Sequence, residues 1–364
     1  MHDGSVETRG RSHAMALVAL AVVTALIAAA SARAQGAASS TAGGEQAMAE
    51  FYKGKTVRLV VGAAPGAAYD FVGRAFAAHF GRYIPGNPTL VVENMPGAAG
   101  IIMMNQLYNR APRDGTVLGM PLSGIVLERR LKALSRDGSN VHFDVARMSY
   151  LGTPAQQPQS IVVWHGSPFK SLADLQSTAA TFGTTAPGTD SFVLPTMTNQ
   201  LLGTRIKVVS GYKAVNDIFF AMEQGELQGA CVLLSSLLGK ADWVRENKAR
   251  ILFHFGAERI ASLPDIPTAI ELAPSEDARL MLRIYGSKFR TTYPIMLPPD
   301  VPSARIAGLR AAFDATMKDA RFIADAKKVG VDVDPLGGDA IERLSAEIDA
   351  MPQPVIDRLR KLIE

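Results

Sequence analysis

Apolar runs and stretches of helical periodicity alternate along the chain from residue 56 onward. Runs such as TVRLVVG (56–62) are short and rich in branched apolar residues, which predicts buried strands. Stretches such as DFVGRAFAAHFGRYI (70–84) repeat apolar residues every three or four positions, which predicts amphipathic helices. Repeated strand–helix units favour mainly parallel sheets with helices on both faces. The predicted strands are 56–62, 89–95, 116–122, 160–165, 180–186, 206–212, 227–234, 250–255 and 289–299, and the predicted helices are 70–84, 100–111, 124–134, 171–176, 191–203, 215–225, 303–319, 320–329 and 339–362.

The pattern divides the chain into two α/β lobes. It restarts after Tyr150, and a strand returns late in the chain, so we expect crossovers near Leu151–Val163 and Ile284–Leu297. The expected division is lobe 1 over 51–155 and 285–364, and lobe 2 over 156–284.

The N-terminus has the pattern of a secretory signal peptide. Basic residues precede an apolar stretch, Ala14–Ala30, and Ala32-Arg33-Ala34 fits the A-x-A cleavage pattern. The competing interpretation, a membrane-spanning helix, requires a longer stretch that is less rich in alanine. We therefore expect a signal peptide over 1–34, a flexible Ala/Gly/Ser-rich leader over 35–50, and a mature protein in the periplasm.

The composition narrows the class of partner. The chain has 364 residues, of which 48% are hydrophobic and 20% charged, with a net charge of +4, and the basic residues are spread rather than clustered. A nucleic-acid partner is therefore not expected. Cys231 is the single cysteine, which excludes an intramolecular disulfide and suits a bacterial periplasm.

Three loops of small residues each follow a predicted strand and open a predicted helix. They are GAAPGAAYD (62–70), ENMPGAAG (93–100) and GTTAPGTDS (183–191). Small residues let a ligand approach the backbone, and the first N–H groups of a helix carry partial positive charge without an intrahelical partner. A carboxylate or phosphate binds there without lysine or arginine. A single loop of this kind is adequately explained as a tight turn between a strand and a helix. Three such loops, one of them in the other half of the chain, predict an anion-binding cleft. Asp70 is predicted to be the N-cap of the first helix.

The order of these motifs resembles the substrate-binding receptors of tripartite tricarboxylate transporters, the Bug-type periplasmic proteins. The most specific matching pieces are VENMPGAAG with APRDGTVLG, and LPDIPTAIEL, and the resemblance runs from about Phe51 to the C-terminus. It implies an α/β fold similar to type II periplasmic binding proteins, in which two lobes joined by a two-stranded hinge close over a small organic anion. It also implies that the first two loops bind a carboxylate through main-chain N–H groups and ordered water.

The expected ligand-binding residues lie in these loops and beside them. They are Gly66, Ala67, Ala68, Tyr69, Asp70, Pro96, Gly97, Ala98, Ala99, Thr185, Gly188, Thr189, Asp190, Ser191 and Tyr212. The side chains expected to ring the anion and set specificity are Tyr69, Phe71, Met95, Phe192, Tyr212 and Arg290. A core position is the alternative for Phe71 and Phe192, and a surface position is the alternative for Arg290.

Both lobe 1 loops depart from the family pattern. Alanines replace two glycines in the first loop, Tyr69 replaces a threonine, and Met95 stands where arginine is common. An alanine at a position that needs positive φ costs about 1–2 kcal/mol, so we expect a different local path for the first loop. The pocket is expected to take a less highly charged or more apolar carboxylate than citrate, such as an aromatic or branched acid.

Two other functions are weighed against a transport receptor. An enzyme is disfavoured because the chain lacks the G-x-S-x-G, H-E-x-x-H, C-x-x-C and P-loop motifs, and no catalytic residue, metal or cofactor is expected. A periplasmic sensor that presents a bound carboxylate to a membrane signalling receptor uses the same closure and stays open as the alternative. The expected partners are a small organic carboxylate and the permease subunits of a tripartite tricarboxylate-type transporter, and the expected state is a monomer.

Overall fold

The structure is a computed structural model that describes residues 43–131, 140–185, 189–238, 240–260 and 262–363. The predicted signal peptide and Gly188 of the predicted site lie outside the described residues. Within these ranges no helix has the length and apolar character needed to span a bilayer.

The described residues form two β-sheets covered by helices. The strands are β1 (Thr56–Val61), β2 (Thr89–Asn94), β3 (Val117–Met120), β4 (Ser149–Thr153), β5 (Gln159–Trp164), β6 (Ala180–Thr184), β7 (Ile206–Ser210), β8 (Gly229–Leu233), β9 (Ala249–His254), β10 (Ile295–Leu297) and β11 (Leu336–Gly337). The helices are α1 (43–52), α2 (Ala68–Phe80), α3 (Ile101–Arg110), α4 (Ile125–Leu131), α5 (Leu172–Ser177), α6 (Asp190–Leu202), α7 (Val215–Glu223), α8 (Leu234–Leu238), α9 (Ala241–Arg245), α10 (Glu276–Gly286), α11 (Ser303–Met317), α12 (Ala320–Lys328), α13 (Gly338–Asp349) and α14 (Gln353–Ile363).

The sheets are mixed rather than mainly parallel, so that prediction is wrong. The sheet of lobe 1 has the order β11-β4-β10-β3-β1-β2, and the sheet of lobe 2 has the order β7-β6-β8-β5-β9. β1 is parallel to β2 and β3, and β6 is parallel to β7 and β8. β10 is antiparallel to β3 and β4, and β5 is antiparallel to β8 and β9. β5 and β10 each follow a segment that crosses between the lobes. Each therefore enters its sheet at the carboxyl end of the neighbouring strand, β8 or β3, and runs antiparallel to it.

Two connecting segments form the hinge between the lobes. One joins β4 to β5 and the other joins α10 to β10. The Gln157 amide donates to the Phe289 carbonyl at 3.0 Å, and the Tyr293 amide donates to Thr153 Oγ1 at 3.2 Å. These hydrogen bonds hold the two crossing segments side by side.

The predicted return strand at 289–299 is mostly not a strand. Residues Ser287–Thr291 continue α10 as a 3₁₀ turn, and only β10 pairs with the sheet. Ser287 Oγ donates to the Ile284 carbonyl at 2.6 Å, a local side-chain bond that competes with strand pairing.

Helix α1 begins inside the segment predicted to be a flexible leader. Met48 and Tyr52 of this helix are buried in the lobe 1 core. Tyr52 Oη donates to the Gly115 carbonyl at 3.0 Å, and burial raises the pKa of this phenol to about 12. The segment is therefore helical from residue 43, and it packs on the lobe 1 core through Met48 and Tyr52, which lie one helical turn apart.

The C-terminal stretch predicted as one helix at 339–362 is two helices. Pro352 lies between α13 and α14, where its missing N–H and its ring prevent a continuous helix.

Helix α14 packs against helices of both lobes. Ile356 and Leu359 are fully buried in an apolar cluster shared with α4 of lobe 1 and α6 of lobe 2. Arg360 Nε donates to the Leu131 carbonyl at the end of α4, at 3.2 Å. The last helix of the chain therefore belongs to the interface between the lobes.

Phe76 of α2 offers a test of the lobe 1 core. It is fully buried and stacks on Phe80, with 4.5 Å between the ring centroids. We expect Phe76→Ala to lower the free energy of unfolding by about 3–5 kcal/mol in chemical denaturation, since it leaves a cavity. Phe71→Ala, on the same helix but 49% exposed, is the control and is expected to change it by less than about 1 kcal/mol. Similar losses for both variants would contradict this packing.

Candidate functional site

The loops that follow β1, β2 and β3 meet at one edge of the lobe 1 sheet. These strands are parallel neighbours, so their carboxyl ends share that edge. A β-carbon on Gly62 would stand 3.4 Å from Gly100 Cα and 3.5 Å from Pro121 Cα. The three loops therefore pass within van der Waals contact of one another and form one continuous backbone surface.

Asp70 ties the first loop to the second. Its carboxylate accepts from the Gly66 amide at 2.8 Å and from Asn94 Nδ2 at 3.0 Å, and it pairs with Arg74 Nε at 2.9 Å. Asn94 also donates to the Ala63 carbonyl at 3.0 Å. Burial raises the pKa of Asp70, but the bonds from Arg74, Gly66 and Asn94 outweigh it and hold this pKa below its ordinary value.

The prediction that Asp70 is the N-cap of α2 is wrong. The N-cap is Ala67, with φ −79° and ψ 163°, and Asp70 is the third helical residue. Its carboxylate reaches back to the amide of Gly66, much as the acid of a capping box does. The amides of Ala68 and Tyr69, in the first turn, have no acceptor among the described residues.

The unfavourable backbone conformation lies in the second loop rather than the first. Ala67 has an ordinary extended φ and Ala68 is helical, so the alanines of the first loop are unstrained. In the second loop Gly97 has φ +131° and Ala98 has φ +44°. The left-handed region costs an alanine about 1–2 kcal/mol, so neighbouring contacts must hold Ala98 there.

Tyr69 connects the first loop to the loop after β3. Tyr69 Oη accepts from the Ser123 amide at 2.7 Å, and its ring packs edge-on against Tyr293 at 4.8 Å between centroids. Burial raises the pKa of the Tyr69 phenol, with a smaller electrostatic contribution from Asp190 of lobe 2.

The predicted residues of lobe 2 gather at the carboxyl ends of β6 and β7. Thr184 Oγ1 and Ser191 Oγ are 2.6 Å apart, and Thr189 Oγ1 and Ser191 Oγ are 2.9 Å apart. The Thr185 carbonyl accepts from an amide in the turn after β7 at 3.3 Å. Tyr212 is half-buried and packs beside β6. Of the hydroxyls expected to bind a ligand, those of Thr189 and Ser191 are hydrogen-bonded to each other.

Asp190, the first residue of α6, forms an ion pair with Lys288. Asp190 Oδ1 lies 2.7 Å from Lys288 Nζ, and Tyr285 Oη donates to the same oxygen at 2.8 Å. The Lys288 and Asp190 side chains are only 14% and 19% exposed. Lys288 also lies against Gly124 in the loop after β3, so this cluster spans both lobes.

Lys288 and Tyr285 are the residues that sequence reasoning missed. It expected a hinge-side cation at Arg290, two positions further on. Arg290 instead lines a groove of about 670 Å³ with Gln156 and Asp334. The groove is lined by β11 of one sheet and by the segment after β9 of the other. In the two sheets these strands lie on the other side of the crossing strands from β1 and β6, whose loops form the candidate site. The sequence does not indicate whether a basic residue near the hinge points towards the candidate site, as Lys288 does, or towards the groove, as Arg290 does.

The other side chains expected to ring the anion are divided between surface and core. Phe71 is half-exposed at the start of α2. Met95 and Phe192 pack against the large apolar cluster. In the described ranges no group of three His, Cys, Asp or Glu side chains is arranged to hold a metal ion.

The family model described as "Tripartite tricarboxylate transporter family receptor" matches residues 83–360. This chain belongs to that family. It is a solute-binding receptor and not an enzyme, as the sequence predicts.

This receptor is similar to other proteins at low sequence identity. A UPF0065 protein in the gbd 5′ region of Cupriavidus necator is 26% identical over 236 residues, which are 62% of this chain and 67% of the relative. A TctC solute-binding protein from Polaromonas superposes with a TM-score of 0.66 at 16% identity, covering 84% of this chain and 99% of the other. Rpa4515 of Rhodopseudomonas palustris, solved with adipate, gives a TM-score of 0.56 at 20% identity, covering 85% and 96%. The predicted fold class, two α/β lobes of the periplasmic-binding-protein type, is confirmed.

The pKa of Asp70 leads to a test of the loop contacts in this receptor. Because the folded state lowers this pKa, its stabilisation is present above about pH 4 and is lost as pH falls through the folded pKa. We expect Asp70→Asn to cost about 1.5–3 kcal/mol of unfolding free energy at pH 7, the usual contribution of hydrogen bonds to a charged group. The difference from wild type should shrink progressively as pH falls below about 4 in chemical denaturation.

The control for this test is Asp314→Asn, at an exposed position on α11. We expect little change from it at any pH. A pH-independent difference between Asp70→Asn and wild type would show that the charge of Asp70 does not hold the loops.

Proposed function

We propose that this receptor captures a small organic carboxylate between its two lobes and delivers it to the membrane subunits of a tripartite tricarboxylate-type transporter. The observation that carries the proposal is the meeting of the loops after β1, β2 and β3 at one edge of lobe 1, beside Lys288, which is paired with Asp190 of lobe 2. The carboxylate-bound relative Rpa4515 has the same fold.

The main-chain donors of lobe 1 suit a carboxylate. The amides of Ala68 and Tyr69 start a helix of 13 residues and have no acceptor among the described residues. The positive end of the helix dipole favours an anion there. The nearest carboxylate, that of Asp70, is neutralised by Arg74 and bonded back to the loops. A ligand carboxylate therefore gains hydrogen bonds at this end without needing a basic side chain.

The lobe 2 side of the cleft completes the site when the lobes approach. Asp190 of lobe 2 is paired with Lys288, whose side chain lies beside the lobe 1 loop at Gly124. A ligand bound between these groups stabilises the closed form by its differential affinity for that form. The remaining predicted site residues, from Pro96 to Ala99 and around Thr189, belong to the same walls.

The place of the protein in the cell follows from the N-terminal pattern and the family. A cleaved signal peptide over 1–34 would export it to the periplasm, where a receptor of this family meets both its solute and its permease. Normal uptake of the bound solute in a strain lacking this gene would contradict the transport role and favour the sensor.

A proline substitution tests the role of the lobe 1 amides. Ala68 is the first residue of α2 and is exposed, and proline is tolerated at that position while removing the N–H. We first expect a thermal shift of wild type with at least one compound from a panel of aliphatic and aromatic carboxylates. We expect Ala68→Pro to weaken binding of that compound at least about tenfold in calorimetry, since a charge-assisted hydrogen bond contributes about 1.5–3 kcal/mol.

The matched control is Ala320→Pro. Ala320 is the exposed first residue of α12, and the described residues offer its amide no acceptor. This variant should bind like wild type. Equal affinities for Ala68→Pro and Ala320→Pro would remove the α2 start from the site, and no shift with any carboxylate would contradict the proposed function.

A further inference from the structure

The start of α6 carries a carboxylate of the protein itself. It is the lobe 2 counterpart of the α2 start, a helix of 13 residues whose positive end points to the end of the sheet where the loops gather. On sequence grounds it is a place for a ligand anion. The structure puts Asp190 there, as the first helical residue, with its charge next to the helix dipole.

Asp190 is also paired with a cation, the ammonium group of Lys288. Lys288 Nζ is 2.7 Å from Asp190 Oδ1, with the Tyr285 hydroxyl bonded to the same oxygen at 2.8 Å. The Lys288 ammonium lies 4.8 Å from the centroid of the Tyr285 ring and 5.5 Å from that of Phe289. With both ionic side chains more than four-fifths buried, little water screens the pair.

We propose that the Asp190–Lys288 pair restricts this receptor to ligands with a single carboxylate. The inference rests on the proposed function and names the substrate class of the same site. The single ligand charge binds the lobe 1 amides, and the far end of the ligand, uncharged or bearing a hydrogen-bond donor, meets the pair.

A second carboxylate on the ligand is disfavoured for two reasons. It would approach Asp190 as a like charge in a poorly screened place. To gain Lys288 as a partner it would also have to displace Asp190, leaving that carboxylate buried and unpaired. A donor-bearing end has no such conflict, because Asp190 Oδ2 has no donor among the described residues.

Matched pairs of ligands test the proposal. Hexanoate and adipate, butyrate and succinate, and benzoate and terephthalate each differ by one carboxylate. Calorimetry with the full receptor gives the ratio of the dicarboxylate Kd to the monocarboxylate Kd within a pair. We expect a ratio of at least ten for wild type in every pair of which one member binds.

Two variants should move this ratio in opposite directions. Asp190→Asn leaves Lys288 without its carboxylate, so a second ligand carboxylate takes that place and the ratio should fall at least tenfold. Lys288→Met leaves Asp190 unpaired and should raise the ratio. The control Asp242→Asn removes the same charge from an exposed lobe 2 site paired with Arg245, and the ratio should not change. The midpoint of thermal unfolding without ligand shows whether each variant is folded.

The outcomes separate this inference from the proposed function. A wild-type ratio within about threefold of one, or an unchanged ratio in folded Asp190→Asn, would overturn the inference while leaving carboxylate capture intact. If Asp190→Asn fails to fold, the wild-type ratio and the Lys288→Met ratio still decide. Binding of neither member of any pair by wild type would contradict both.

Discussion

The carboxylate of Asp70 holds the two small-residue loops of lobe 1 in one arrangement. Small residues allow backbone to approach a ligand, but they provide few side-chain contacts of their own to fix a loop. Asp70 supplies those contacts, to Gly66 in its own loop and to Asn94 at the start of the next. Because Arg74 pairs with it, the site gains rigidity without gaining a free negative charge. The geometry of the amides of Ala68 and Tyr69 depends on this arrangement.

The two walls of the cleft differ in their electrostatics. Lobe 1 presents neutral main-chain donors at the start of α2, whereas the start of α6 in lobe 2 presents Asp190 paired with Lys288 of the hinge segment. Two helix starts that look alike as small-residue loops therefore have different chemistry. The difference comes from one acidic residue at the first helical position and one lysine 98 residues later.

Much of the fold and part of the site are readable from the sequence. The strand–helix alternation predicts most elements, because each helix has one apolar face and each buried strand is a short apolar run. The small-residue loops predict where the lobes meet. The short 3₁₀ turn at Ser287–Thr291 was not predictable, because serine and threonine side chains bonded to local carbonyls decide it. Lys288 was missed for a related reason, because the path of this turn determines whether its side chain points towards Asp190. Ala98 was also missed, since no sequence pattern reports a left-handed alanine.

Helix α14 makes the lobes mechanically dependent on each other. If the two crossing segments were the only connection, the lobes would rotate about them as a simple hinge. Here the buried faces of Ile356 and Leu359 sit in a cluster built from α4 and α6, one helix from each lobe. When the cleft widens, α14 therefore slides over one of these helices, which is a shear motion. The amplitude of that motion is limited by how far the packed side chains can shift before their contacts are lost.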